Sequence, residues 1–451
     1  MSAPTAEGMA VDGDKKPVEL KMKIQGKWVQ ISESQILKHP GGNVITQYSG
    51  SDATQIFDAF HAGSAKAYKQ LKAVLDHNTL PELESATLEA TMQRRFDQTD
   101  VNISSYDISI EEEKKICQNF EELRMEVIRR GMMEGAPLYY VWKAIEIIFM
   151  FGLTFYFQYR EWYFVSALIL GLNFQQLGWL AHEFSHQQPT KNRANNDWWA
   201  NIFGNVFQGY SIDWWKDKHN THHATTNIVD QDGDIDIVPL FSLIPADLLK
   251  YKAPFVPYQH LYFTFSLPLI RLSWLSQSLG WAFTENSSAF RVYRRNALAE
   301  QSGLVVHWMW VALQLYLLPD NFTRVWYFLL SQSLCGLLTG HVVTYSHNSV
   351  DKYPANSRLL NNFAALQILT TRNMLPSPFI DWFWGGLNYQ IEHHLFPTMP
   401  RCHLNECSKL VKKFCADNNL PYLVDDYTTG YKYNLDQLER IAQIAADQKE
   451  Q

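Results

Sequence analysis

Eight of the fifteen histidines in this chain stand in three tight clusters or just ahead of the last of them. The clusters read His182-Glu-Phe-Ser-His186, His219-Asn-Thr-His222-His223 and Gln390-Ile-Glu-His393-His394, and the eighth residue is His347. Neutral imidazole is the commonest protein ligand for redox metals. No single helix can wrap a metal, so a fold that uses these residues must bring distant segments to one point. The chain between them is rich in apolar and aromatic residues. Histidine clusters at the ends of long apolar segments point to metal-dependent redox chemistry in a membrane-embedded fold.

At 451 residues the chain has room for more than one domain. Its net charge of −7 leaves no footprint for nucleic acid. Aromatic residues make up 14% of the chain and suit membrane interfaces. The mean hydropathy of −0.24 argues for a soluble portion joined to a membrane portion. Cys117, Cys335, Cys402, Cys407 and Cys415 form no CxxC pair and are odd in number, which fits a reducing compartment. Residues 1–17 lack the apolar core of a secretory signal and are expected to be disordered, so any membrane insertion must use internal segments.

Residues 18–95 read as a small soluble α+β domain, and residues 96–137 as a linker with an amphipathic helix near Ile110–Arg130. Residues 138–430 read as a membrane domain and 431–451 as a C-terminal tail. Four apolar segments, Tyr139–Tyr159, Trp162–Ala181, Gly303–Leu318 and Val325–His341, approach the ~20 residues needed to cross ~30 Å of hydrocarbon. Four crossings leave all three clusters and both termini on one side. Lys216, Lys218, Arg291, Arg294 and Arg295 fall there too, as the positive-inside bias requires of the cytosol. Tyr262–Phe283 is also apolar, but a fifth crossing would separate His393 and His394 from His219 and His222. Arg271 makes that crossing costly, so the stretch is expected to be interfacial or re-entrant. The expected fold is an α-helical membrane protein with four transmembrane helices, interfacial helices and a cytosolic cap, preceded by an N-terminal α+β domain.

The N-terminal domain carries His39-Pro-Gly-Gly42 and then Asp52-Ala-Thr-Gln-Ile-Phe-Asp-Ala-Phe-His61. Pro40 and the glycines make a turn that can project His39 from a helix end. A short helix from about Ala53 leads to His61, and Ser64 can cap the next helix. Two such histidines could ligate heme iron on both sides, and iron with both axial positions filled moves electrons rather than binding oxygen. The plainer alternative is a turn histidine and an unrelated surface histidine.

His182 and His186 are four apart and share one helix face. His219, His222 and His223 give an i, i+3, i+4 pattern, which Gln390, His393 and His394 repeat. Three helix ends can thus aim seven imidazoles and one amide at a common point, and His347 adds an eighth imidazole. Four histidines fill one tetrahedral zinc site. Seven or eight suit two metals, and an all-nitrogen set tolerates iron in two oxidation states. Glu183, Glu392, Asp213 and Asp217 are candidates to orient the ring N–H groups. His341, at a span end, is a candidate further ligand alongside Gln390, whereas His77, His260, His307 and His403 stand alone. The acidic run Asp230–Asp236 does not fit a calcium loop: its glycine is fourth rather than sixth, and Phe241 holds the twelfth place. A solvated loop is expected there.

The histidine spacings resemble those of the membrane fatty acid desaturases. The resemblance is specific in three stretches, His182–Lys191, Trp214–His223 and Trp384–Pro397. Residues 20–75, with Gly26-Lys-Trp28, HPGG and DATxxFxxFH, closely resemble a cytochrome b5 domain, which implies heme b held by His39 and His61. The fused domain, and Gln390 where the third cluster usually begins with histidine, look like the front-end subgroup. That subgroup inserts a double bond between an existing one and the carboxyl end of a polyunsaturated acyl chain. The chain is similar above all to nematode Δ6 members, with Δ5 desaturases as near relatives. The resemblance implies two irons held by His182, His186, His219, His222, His223, His347, His393 and His394. It implies C18 polyunsaturated acyl-CoA and O2 as substrates, and electrons refilled by NADH-cytochrome b5 reductase. It also implies a multi-pass protein of the endoplasmic reticulum bilayer, with both termini and the site cytosolic. An amide ligates only weakly, so Gln390 is expected to hold a water or a ring contact. Alternatives are a Δ5 desaturase acting on C20 chains, a b5-fused sphingoid-base desaturase or hydroxylase, a membrane zinc hydrolase, and a tethered electron carrier.

Overall fold

Apolar residues alternate through Leu20-Lys-Met-Lys-Ile24, so strand β1 (Leu20–Ile24) buries one face against its antiparallel partner β2 (Lys27–Ile31). Gln25 and Gly26, both with positive φ, turn the hairpin. Short helix α1 (Glu33–Ile36), a 3-10 segment at Gly42–Tyr48, α2 (Thr54–His61), α3 (Ala65–His77) and α4 (Glu82–Arg94) follow. Ser64 caps α3 by accepting from the Ala67 N–H. Glu89 of α4 accepts from Lys23 and from the Trp28 indole, both at 3.0 Å, which ties α4 to the hairpin. The computed structural model describes residues 19–36, 38–39, 41–94, 108–235, 241–250, 255–283 and 297–450. The expected disordered terminus, Pro40, residues 96–107 of the linker and Arg291, Arg294 and Arg295 lie outside them.

Helix α5 (Ile110–Arg129) starts at a capping box of Ser109 and Glu112 and buries Ile116, Phe120, Leu123 and Val127 along one stripe. Then come α6 (Pro137–Tyr159) and α7 (Tyr163–Ser185), a hairpin whose turn uses Glu161 at φ 62°. Helix α8 (Arg193–Asn201) runs into a π-helical stretch, Ile202–Gln208, and α9 (Ile212–Ala224) and α10 (Pro245–Lys250) follow. Next are α11 (Gln259–Ser266), α12 (Ile270–Phe283), α13 (Ala297–Tyr316) and α14 (Asn321–His347). The C-terminal part holds α15 (Phe363–Leu369), α16 (Pro378–Phe383), α17 (Gln390–Leu395), α18 (Leu404–Asp417) and α19 (Tyr427–Glu450).

Among the described residues, α6 and α7 are the two helices that are long and apolar enough to cross a membrane on length and composition. The other two expected spans are present as long helices, but α14 buries Ser331 and Gln332, which lowers its apolar content. Helices α6, α13 and α14 turn large apolar side chains outward, among them Trp142, Ile148, Phe149, Met309, Leu313, Phe322 and Val325. An exposed apolar belt of this kind fits a lipid-facing surface.

The segment expected to be re-entrant is a helix broken at Pro268 between α11 and α12. It packs tightly on α14 because Gly336 has no side chain: a Cβ there would run into the Pro268 carbonyl. Arg271 is buried, donates to Gln332 (2.6 Å) and to the Gln208 carbonyl (2.9 Å), and lies 4.1 Å over the Phe174 ring. Residues 431–451 are not a loose tail. Residues 431–450 continue α19 (Tyr427–Glu450), which buries Leu438 and Ile441 and receives a bond from Gln259 Nε2 to the Leu438 carbonyl (2.9 Å).

Candidate metal centres

Helix α7 ends at His182 and His186, α9 at His219, His222 and His223, α14 at His347, and α17 at His393 and His394. The fold divides these eight imidazoles into two groups. His182, His186, His219, His223 and His393 each offer a ring nitrogen, and those atoms lie within 4.8 Å of one another. His222, His347 and His394 form a second group on the same criterion. The groups adjoin, with the His223 and His394 rings stacked at 4.0 Å.

In the group of five, His219 Nε2 lies 3.2 Å from His182 Nε2 and 3.0 Å from His223 Nε2. His186 Nε2 and His393 Nε2 are buried and have no hydrogen-bond partner among the described residues. Burial, with neighbouring imidazoles adding to it, holds His186, His219 and His223 well below the ordinary histidine range and His393 at about 3. Neutral rings with inward lone pairs are what a cation needs.

In the group of three, each Nδ1 is tied from outside. His222 Nδ1 donates to Asp232 at 2.9 Å, His394 Nδ1 to Gln367 Oε1 at 2.8 Å, and His347 Nδ1 to the Thr370 carbonyl at 3.2 Å. Protonated Nδ1 leaves each Nε2 as a free donor of electrons, the arrangement of metal-binding histidines. Burial opposes charge at His222, but the Asp232 carboxylate outweighs it and raises the affinity of that ring for a proton. The Gln390 amide nitrogen lies 2.9 Å from His347 Nε2 and 3.2 Å from His394 Nε2, while its Oε1 is buried without a partner among the described residues. The same amide turned over offers its oxygen to that point.

The structure corrects three expectations. His341 belongs to neither group: its Nδ1 meets the Tyr427 hydroxyl at 2.7 Å. It precedes His347 by six residues, which places it well around the helix from that ring. Glu183 pairs with Arg401 at 2.6 Å, and Glu392 accepts from Asn373 and Tyr422, so neither carboxylate is bonded to an imidazole. The Asp230–Asp236 run is not solvated throughout. Asp232 is buried and also accepts from the backbone N–H of Asn227 (2.8 Å) and Asp234 (2.9 Å). Asn227 in turn donates to the His347 carbonyl (3.1 Å), and Lys352 donates to the carbonyls of His347, Asn348 and Val350. Asp232, Asn227 and Gln367 were the residues missed, and the one available signal was a carboxylate ten residues after His222.

A third pair lies in the N-terminal part. The His39 and His61 ring centroids are 6.1 Å apart. A metal with nitrogen ligands at ~2 Å on opposite sides sets ring centres roughly 6 Å apart. His61 Nδ1 is anchored on the Phe57 carbonyl at 2.9 Å, and burial, aided by His39, holds its pKa at about 4. A Cβ on Gly41 would lie 2.9 Å from His39 Cε1, so the glycine makes room for that ring.

The family model for fatty acid desaturases matches residues 160–425, the stretch that holds all eight clustered imidazoles. The chain belongs to the fatty acid desaturase family. It is 58% identical to the Delta(6)-fatty-acid desaturase fat-3 of Caenorhabditis elegans, over 95% of this chain and 98% of that protein. It is 46% identical to the Delta(5) fatty acid desaturase fat-4 of the same organism, over 94% and 96% of the two chains. An Acyl-lipid (9-3)-desaturase of Physcomitrium patens is 34% identical over 91% and 73%. As a desaturase, the chain is an oxygen-dependent oxidoreductase.

Proposed function

We propose that this desaturase is a front-end Δ6 enzyme. It inserts a cis double bond into C18 polyunsaturated acyl chains, linoleoyl and α-linolenoyl, carried on CoA. The observation that carries the reading is the five-plus-three convergence of imidazoles at the ends of four helices. The group of five would hold one iron. The group of three, with Gln390 beside it, would hold the other. Iron bound there would supply the O2-dependent oxidation by which two hydrogens are removed from adjacent carbons. His39 and His61 would hold heme b, which supplies electrons one at a time and is refilled by NADH-cytochrome b5 reductase. Residues 18–95 are then the cytochrome b5-like module.

The chain's own residues set the conditions for this chemistry. Asp232, Gln367 and the Thr370 carbonyl fix the tautomers of His222, His394 and His347. Burial keeps the group of five unprotonated. Helices α6, α7, α13 and α14 are read as four crossings of the endoplasmic reticulum membrane. The broken α11–α12 segment adds no crossing, so the three clusters and both termini share the cytosolic face. The preference for Δ6 over Δ5 rests on the higher identity to the Δ6 relative.

Expression in yeast fed separate C18 and C20 polyunsaturated acids tests the reading. A new double bond at Δ6 of the C18 chains is expected, with loss in His182→Ala at unchanged heme absorbance. New unsaturation in the C20 acids alone would assign the Δ5 reaction instead, and a modified sphingoid base would point to another substrate class.

A further inference from the structure

The sequence reads as an N-terminal module joined to the membrane domain by a linker. The structure seats it. The Tyr48 hydroxyl donates to the Ala224 carbonyl at 2.9 Å, one residue beyond His223, in a buried contact. Arg193 donates to the Phe60 carbonyl at 2.9 Å, and the Ala364 N–H donates to Gln55 at 3.4 Å. These contacts seat the 3-10 segment on the end of α9 and tie α2 to α8 and α15. At that junction the Phe60 ring stands edge-on to His223, with centroids 6.2 Å apart and planes at 89°. Phe60 precedes His61 in sequence, and His223 belongs to the group of five.

We propose that Phe60 is the positioning residue through which electrons leave the N-terminal module, and that they enter the metal centre at the group of five by way of His223. This rests on the reading above, in which His39 and His61 hold heme and the clustered histidines hold iron. One electron passes per event: the heme iron goes from ferrous to ferric and one iron of the centre from ferric to ferrous. No atom or proton is transferred, and the flavoprotein reductase restores the ferrous heme from NADH. The group of three is not approached by Phe60 in this geometry, so the two metal positions are unequal in access to the electron source.

The alternative for Phe60 is simple packing, because its ring also touches the shared apolar core. Two substitutions separate the roles. Phe60→Leu keeps apolar bulk and removes the ring edge, and Phe60→Tyr keeps the ring. An edge-to-face aromatic contact contributes a factor of roughly two to ten in occupancy of the paired geometry. The heme of the purified full-length protein is reduced without oxygen and then mixed with O2 and acyl-CoA, and its reoxidation is followed by absorbance. Slower reoxidation in Phe60→Leu, by about that factor, with parental heme and iron content and near-parental rates in Phe60→Tyr, supports the proposal. Parental reoxidation in Phe60→Leu overturns it. A parent chain without heme absorbance, or without non-heme iron, overturns the underlying assignment and this proposal with it.

Discussion

Replacing Asp232 by Asn tests the second metal group at its weakest joint. The carboxylate accepts from three donors: the His222 ring and the backbone N–H groups of Asn227 and Asp234. An asparagine is nearly isosteric, but one of its two polar atoms is an amide nitrogen. Whichever way it turns, an N–H faces an N–H, and a buried donor left unmatched costs about 1–3 kcal/mol. The His222 ring also loses the negative charge that makes its Nε2 a better ligand. Loss of such an outer partner typically weakens metal binding about 10- to 100-fold, or roughly 1.4–2.8 kcal/mol. The group of five has no contact with Asp232 and should be untouched. Anaerobic ferrous titration against a competing chelator should therefore show one weakened site and one parental site in Asp232→Asn. Two sites of unchanged affinity would refute the idea that Asp232 holds His222 for metal.

Other outcomes follow from particular contacts. His341→Ala should leave iron content and product unchanged, because its ring faces Tyr427; loss of iron on chemical assay would return it to the ligand set. Gly336→Ala should cost about 1–3 kcal/mol or more by overpacking, since its Cβ meets the Pro268 carbonyl rather than a yielding side chain. Thermal melting of the detergent-solubilised protein measures that loss. Glu392 is buried, and desolvation raises its pKa to about 7, with Asn373 and Tyr422 pulling the other way. The folded value stands above the unfolded one, so the group favours folding fully below about pH 4 and that contribution is lost as pH rises through 7. The penalty at full ionisation is on the order of 3 kcal/mol. Melting temperature should fall between about pH 4.5 and pH 7 in the parent, and the fall should be smaller in Glu392→Gln.

The convergence of the clustered histidines was legible because helical periodicity alone puts i, i+3 and i+4 side chains on one face. His347 was legible from its place just beyond an apolar segment. The division into five and three was not, because it depends on how the ends of α7, α9, α14 and α17 meet. Asp232 was hidden by its company. An acidic run normally faces water, but here Asp232 is buried against His222 and the backbone of Asn227, which itself bonds the end of α14. His341 was misplaced because nearness in sequence was weighed without its angle around the helix. The order in residues 431–450 had a visible signal, since Leu435, Leu438, Ile441, Ala442 and Ala445 recur at helical spacing.

Apolar residues of β1 and β2 belong to the same contiguous core as Phe120 of α5, Leu366 of α15, Ile391 of α17 and Val411 of α18. The N-terminal module and the desaturase domain are therefore expected to melt as one cooperative body. A chimera carrying a distant relative's N-terminal module inherits a mismatched apolar seam, and a truncated chain exposes one. Evolution of the N-terminal module is in this way tied to the surface of the domain it packs on.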